Sequence, residues 1–420
     1  MSNISPKKIL FISHDASRTG APFLLLHLLR WFKEHTDLPF YILLRKGGGL
    51  ESEFEAIAPT VNLTREISYG TGIVERLANI MGFRSFAEDR AKVRLKKLFV
   101  KENVGLVYSN TATNGEVLAW LHDLGIPVIS HIHELEFWMR HKMDELSLAQ
   151  LFANTDYFVA GADIVKDNLM QNHGVASEHI ETIYEFIPIA QHNNIKLQNV
   201  QQKIRAQLGI PDDALIVGAA GTTDWRKGYD LFVQLARVTY KKTPELETHF
   251  VWVGGENKGS IIDEITHDLV NLGIRNVVHF IGKQTNYLEY IASFDVFSLM
   301  SREDCFPLVV LEAAMFNKPI LCFDKAGGAP EFVQDDSGFI IPYLDIELMS
   351  ECVVNLLKDY DLRLRLGKNA AEKVKQQHDV EVIAPRIYQV IQRLLSKQTG
   401  ISELTDSSGT QQTINTSLRG

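Results

Sequence analysis

Cysteine is scarce in this chain. Three in 420 residues, Cys305, Cys322 and Cys352, stand without a CxxC spacing and supply no disulfide framework, which points to a reducing compartment. Long apolar runs are lacking too. The N-terminal MSNISPKK leads only into Ile9 to Ile12, too short for a signal peptide or a membrane span, and no later run is long enough to cross a bilayer. Positive charge is in deficit, 43 Lys and Arg against 52 Asp and Glu, a net charge of −9, so the global field opposes nucleic-acid binding. Common phosphate signatures are missing. The loop after the first apolar run has no GxGxxG, and neither Arg45 to Gly49 nor Gly254-Gly255 is followed by the Lys-Ser/Thr of a P-loop. No short-period repeat is present.

What is there reads as a large α/β protein. The chain is 45% hydrophobic and 23% charged, ordinary for a globular protein, and its length suggests two domains. Short apolar runs at Lys8 to Ser13, Phe40 to Leu44, Gly105 to Ser109, Pro127 to Ile132 and Tyr157 to Ala160 alternate with amphipathic stretches. This rhythm predicts a parallel sheet covered by helices. It breaks at Ile187 to Val200, a polar segment with Pro188. It then restarts with strands predicted at Ala214 to Ala220, His249 to Val253, Val277 to Ile281, Asp295 to Met300, Pro319 to Phe323 and Gly338 to Ile341. The expected organisation is a first domain over 1–190, a linker over 191–200, a second domain over 201–379, a helix over 380–396, and a polar tail over 397–420 whose composition predicts disorder.

The densest chemistry lies in Ser301 to Pro330, SREDCFPLVVLEAAMFNKPILCFDKAGGAP. Asp304 and Glu312 flank the apolar run Phe306 to Leu311. A helix starting near Pro307 puts Asp304 before its N-terminus and Glu312 about one turn inside. Ligands of open α/β sheets bind at such strand ends, where helix N–H groups favour anions. The acid pair resembles the E-x7-E signature of the family-4 retaining glycosyltransferases, with Asp304 in place of the first Glu. FDVFSLMS before it, and EAAMFNKPI, GGAPEFV and DSGFIIP after it, resemble the same family in order.

The resemblance covers about residues 7 to 390 and implies the GT-B fold. Two Rossmann-like domains would face each other across a cleft, with part of Val380 to Leu395 crossing back to the first domain. It also implies site residues. Glu312 would bind the ribose of a nucleoside diphosphate sugar, and Asp304 the sugar hydroxyls. Phe306, Pro307 and Leu308 would contact the donor. In GAAGTTDWRKGYDLF, Lys227 matches the family's diphosphate-binding lysine, while Thr222 stands where its arginine would be. Arg226 is the candidate replacement or, alternatively, a solvated surface charge.

In ISHIHELE, His133 matches the histidine beside the donor sugar, and His131, on the same strand face, is its rival. The two are also a candidate metal pair, but no further ligand is spaced to complete a site, so no metal and no cofactor are expected. Gly20 fits one glycine of the family's first Gly-Gly turn and Ala21 replaces the other, which leaves an ordinary helix-start loop equally open. Asp15 and Arg18 are candidate acceptor contacts. Gly254 is expected beside the nucleotide, as is the Gly282 to Asn286 loop. The basic stretch Arg84 to Lys101, with Leu95, Leu98 and Phe99 as a stripe, reads either as a membrane-surface helix or as a solvated core helix.

The function these readings imply is retaining transfer of a sugar to a glycan, lipid-linked or small-molecule acceptor, in bacterial polysaccharide or glycolipid synthesis. The protein would be cytoplasmic or peripheral at the inner face of the membrane. The alternatives are a non-catalytic carbohydrate-binding scaffold on the same fold and a phosphorylase that would need a pyridoxal phosphate lysine.

Overall fold

The computed structural model describes residues 6–69, 84–192 and 197–407. The first domain holds a seven-stranded sheet built from β1 (Lys8–Ser13), β2 (Phe40–Leu44), β3 (Thr60–Asn62), β4 (Val104–Asn110), β5 (Val128–Ile132), β6 (Tyr157–Ala160) and β7 (Ile180–Thr182). Its order is β3-β2-β1-β4-β5-β6-β7, and every pairing is parallel. The second holds β8 (Leu215–Ala220), β9 (Thr248–Val253), β10 (Val278–Phe280), β11 (Val296–Ser298), β12 (Ile320–Phe323) and β13 (Gly338–Ile341), in the order β10-β9-β8-β11-β12-β13, again all parallel. This is the expected GT-B architecture. Central strands such as β4, VGLVYSN, are buried along their whole length because helices cover both sheet faces.

Strand order reverses between β1 and β4 in the first sheet and between β8 and β11 in the second. A crevice opens at each reversal, at the carboxyl ends of the strands. The first helix, Gly20–His35, leaves the β1 crevice and buries Leu24, Leu25, Leu28, Leu29 and Phe32, the 3.6-residue stripe of a core-facing helix. In the second domain the turn after β8 closes at Gly228, with φ of 73°, and opens the helix Tyr229–Lys242. A Cβ there would strike the Met300 carbonyl in the loop just after β11, so only glycine lets the two loops meet.

The final helix crosses back as expected. Ile383, Ala384, Ile387, Val390 and Ile391 join Leu24, Leu28 and Phe32 in the core of the first domain. Trp31 Nε1 donates to Glu381 over 3.0 Å, and Arg393 pairs with Glu181 at 3.1 Å. The helix runs over Val380–Ser407, past the boundary at 396 and into the segment whose composition predicts disorder; the remainder of that tail, 408–420, lies outside the described residues. The linker also differs from expectation. Residues 193–196 lie outside the described residues, and 197–200 already belong to the helix Leu197–Leu208, which buries Val200 and Ile204. The chain crosses between domains earlier, where Ile187 N–H donates to the His378 carbonyl (2.9 Å) and Val380 N–H to the Ile187 carbonyl (3.0 Å). Outgoing and returning chains therefore meet as one short parallel bridge.

The basic stretch forms the helix Arg84–Lys101. Its expected apolar stripe is not free: Ala87, Ala91, Leu95 and Phe99 are buried and Leu98 packs against the same core. Arg94 pairs with Glu66 and Lys96 with Asp123, both at 2.6 Å. The Leu95, Leu98 and Phe99 stripe is thus the core-facing side of the helix. Among the described residues no helix is long and apolar enough to cross a membrane.

Candidate active site

A cavity of about 340 Å³ lies between the two carboxyl-end crevices. The first domain lines it with His14, Thr19, Gly20, Ala21, His133, Glu134 and Trp138, the interdomain crossing with Glu185, and the second domain with Arg226, Lys227 and residues 303–309. Sequence positions more than a hundred apart thus form one wall-to-wall site.

At its centre Asp304 is held by Lys227 Nζ, with Ser301 Oγ donating from 3.2 Å and Arg226 at 3.7 Å. Burial alone would raise the Asp304 pKa. The Lys227 and Arg226 charges and the two hydrogen bonds outweigh burial, and the carboxyl stays below its ordinary 3.8. Arg226 also donates to the Glu303 carbonyl over 3.1 Å. It faces the cavity beside Lys227 and is not a stray surface charge. Thr222, where an arginine was expected, is tied to Asp224 in a local turn. Phe306, Pro307 and Leu308 line the cavity where the helix Leu308–Met315 begins, so its unpaired N–H groups open there.

Glu312 sits four residues into that helix, buried, outside the cavity wall. Tyr287 Oη donates to one of its oxygens over 2.6 Å, and the other oxygen has no protein partner. Burial raises its pKa to about 7, and the Tyr287 bond only partly offsets this. A shielded carboxylate with an open acceptor position is a receptor for a hydroxyl donor. Gly254 lies apart from the cavity. Its N–H donates to the Gly282 carbonyl (2.9 Å), and it packs on Gly221, setting the loops after β8, β9 and β10 against one another.

The two histidines separate clearly. His131 is buried under Tyr108, 2.8 Å from its hydroxyl, with burial holding its pKa well down. His133 lines the cavity between Glu185 Oε1 (2.5 Å) and Asn110 Oδ1 (3.0 Å). Glu185, invisible to motif reading, thus joins the pair, and the three residues bring metal-capable atoms within 4.8 Å of one another. Both nitrogens of His133 are already taken by Glu185 and Asn110.

Asp15 and Arg18, the candidate acceptor contacts, are turned to other work. Asp15 accepts from Ser17 N–H (2.9 Å) and Ser17 Oγ (2.8 Å), and Arg18 pairs with Glu53 at 2.7 Å. Neither lines the cavity. Loop closure by the short acid–serine turn decided the first, and proximity of the helix Glu51–Glu55 the second.

Two further glutamates, which lie inside the quoted SRED and GGAPEFV segments but were given no role there, span the cleft. Glu303 accepts from the N–H groups of Phe137 and Trp138, both at 3.2 Å, at the start of the helix Glu136–Lys142. Glu331 accepts from those of Asp163 (2.9 Å) and Ile164 (2.8 Å), at the start of the helix Asp163–His173. Each second-domain carboxylate caps a first-domain helix that has no cap of its own. Burial raises both pKa values, and the N–H bonds oppose it. These contacts hold the cleft shut. Replacing both by Ala should free four helix N–H groups and weaken closure by about 1.5–3 kcal/mol per carboxylate. Small-angle scattering of the empty double variant should then report a larger radius of gyration, and an unchanged radius would mean closure rests elsewhere.

Comparison with known proteins agrees with this geometry. Residues 200–373 match the family described as glycosyl transferases group 1, and residues 52–191 match glycosyltransferase family 4. A D-inositol 3-phosphate glycosyltransferase from Saccharomonospora viridis is 24% identical over 295 residues, 64% of this chain and 66% of that protein. An N,N'-diacetylbacillosaminyl-diphospho-undecaprenol alpha-1,3-N-acetylgalactosaminyltransferase from Campylobacter jejuni is 30% identical over 171 residues, 41% of this chain and 43% of that protein. The match thus spans less than two thirds of either relative's length. The structure of Anabaena Alr3699/HepE in complex with UDP and glucose superposes with a TM-score of 0.74 at 19% identity, over 92% of this chain and 100% of the other.

Proposed function

Because the chain belongs to the group 1, family-4 glycosyltransferases, we propose that it moves a sugar from a nucleoside diphosphate sugar to a glycan, lipid-linked or small-molecule acceptor, with retention at the anomeric carbon. The observation that carries this reading is the paired Lys227 and Arg226 beside Asp304 at the mouth of the helix Leu308–Met315, opposite Gly20 and His133 in one cavity. A diphosphate entering there meets two cations and free helix N–H groups. It draws Lys227 from Asp304, which is then open to sugar hydroxyls. Charge that develops on the leaving diphosphate is met by donors already in place, the kind of electrostatic stabilisation that usually contributes most. A diphosphate leaves without full protonation, so neither carboxylate need act as the acid of a glycosidase pair. The two cations fill the charge-balancing role a metal would otherwise take, and the scheme uses no resident cofactor.

The Glu312 oxygen left without a protein partner, beside the one held by Tyr287, supports a ribose hydroxyl as its ligand. A related structure holds UDP and glucose and a relative's name specifies a diphospho-undecaprenol substrate, which supports nucleotide-sugar donors and lipid-linked acceptors as the first to try. A lipid-linked acceptor would bring the chain to a membrane. Exposed Phe86, Val93 and Val100, seven residues apart on the helix Arg84–Lys101, are then the side chains placed to touch it.

A panel of nucleoside diphosphate sugars tests the proposal. The true donor at 100 times its dissociation constant should stabilise the protein by about 2.7 kcal/mol in a thermal shift and should be slowly hydrolysed. Stabilisation without hydrolysis or transfer would favour the scaffold; no stabilisation by any donor would sink both readings.

A further inference from the structure

His133 is caught between two acceptors. Asn110 Nδ2 donates to the Ala21 carbonyl over 2.9 Å, and a carbonyl can only accept. That fixes the amide, so Asn110 Oδ1 is what faces His133 Nε2 at 3.0 Å, and Nε2 must carry a proton. The other nitrogen, Nδ1, lies 2.5 Å from Glu185 Oε1. Glu185 is 4% exposed, and its side chain fits only because Gly161 opposes it: a Cβ on Gly161 would collide with Oε1. The backbone of Glu185 belongs to the interdomain crossing, where its carbonyl is 2.9 Å from His378 Nδ1.

We propose that Glu185 is a positioning residue of the transfer site, which holds His133 as an imidazolium and, through Asn110 and the Ala21 carbonyl, ties the interdomain crossing to the Gly20 loop. The chain Glu185–His133–Asn110–Ala21 runs behind one wall of the cavity, and Glu185, His133 and Ala21 all line it. The remaining neighbours of the ring fit this charge state. Glu134 adds a second negative charge from the next residue; His131, 4.1 Å away between ring centres, is kept neutral by burial; His14 is lowered by burial, with a contribution from His133. Tyr108 and Cys305, on the Glu185 side, are both pushed up by burial and by that carboxylate, so neither competes as an anion. Burial alone would lower the His133 pKa, but the Glu185 charge and hydrogen bond outweigh it and raise the value above 6.5. The proposal rests on the transferase reading for its purpose, though not for its charge state.

Ring-nitrogen NMR of the full chain tests it without any substrate. In the wild type His133 should be doubly protonated at pH 7, titrating above the free imidazole value of ~6.5. In Glu185→Gln the partner charge is gone while burial remains, so the midpoint should fall below ~6.5. Gly161→Ala, which displaces the carboxylate without removing it, should lower the midpoint too and serves if Glu185→Gln fails to fold. With the donor found in the panel, the alkaline limb of turnover should move to lower pH in both variants. A His133 that is neutral at pH 7 in the wild type, or a midpoint unmoved by either change, overturns the proposal. A shifted midpoint with an unmoved pH limb overturns the positioning role. A panel without a donor sinks the transferase reading and leaves the charge state decided by NMR.

Discussion

Lys227→Ala should lower turnover by roughly a hundredfold to a thousandfold, the cost of removing one preorganised donor from developing oxyanion charge. It should also destabilise the empty protein. Asp304 is nearly buried and Lys227 is its closest charge partner; breaking such a pair from one side costs about 3–5 kcal/mol because the other charge is left uncompensated. With its pKa depressed, Asp304 contributes stability that is present above 3.8, its ordinary value, and is lost as pH falls through the depressed one. The variant should lose that contribution at neutral pH. Adding Asp304→Asn separates the two effects: denaturant melts of the double variant should recover stability, while turnover should not return. Arg226→Ala supplies the comparison, since Arg226 faces the same cavity. If Lys227→Ala kept full turnover with a proven donor and acceptor, the leaving-group assignment would be wrong.

Glu312→Gln should have opposite effects on stability and binding. Burial lifts the Glu312 pKa from 4.5 to about 7. An acid raised in the folded state binds its proton more tightly there, so folding loses stability as pH climbs from 4.5 through about 7, and the full penalty applies above that. A shift of this size corresponds to a penalty on the order of 3 kcal/mol. The neutral amide avoids it, so the empty variant should melt higher than the wild type at pH 8 and no higher at pH 4. Nucleoside diphosphate affinity should meanwhile fall roughly tenfold to a hundredfold, the worth of a hydrogen bond to a charged group. Calorimetry showing undiminished affinity would remove Glu312 from the ribose site; equal melting at pH 8 would mean Glu312 is ionised at no cost.

Much of the architecture was legible from residue order, because it depends on local periodicity. Eleven of the thirteen described strands were each predicted within a few residues, since each is a short apolar run between turn residues. β3 and β7, TVN and IET, were not, because each has a single strongly apolar residue and so shows no apolar run. The acid–helix–acid segment and Lys227 were also legible, because strand, turn and helix start follow one another directly and carry their side chains to the strand ends. The identity of the cavity's other wall was not. His133 could be preferred to His131 only by family likeness, while the structure separates them through Tyr108 on one and Glu185 with Asn110 on the other. Glu185 stands outside any motif and Glu303 and Glu331 inside the SRED and GGAPEFV segments, but nothing in the residue order gives any of the three a partner. Their partners lie 52, 166 and 168 positions away, so strand order and the approach of two domains decide what those carboxylates touch. The same distant packing took Arg18 to Glu53 and the Leu95–Phe99 stripe into the core. Composition and period thus determined two parallel sheets and the chemistry of one strand end; which charges meet across the cleft was decided by tertiary structure, because a pairing between remote residues has no period to read.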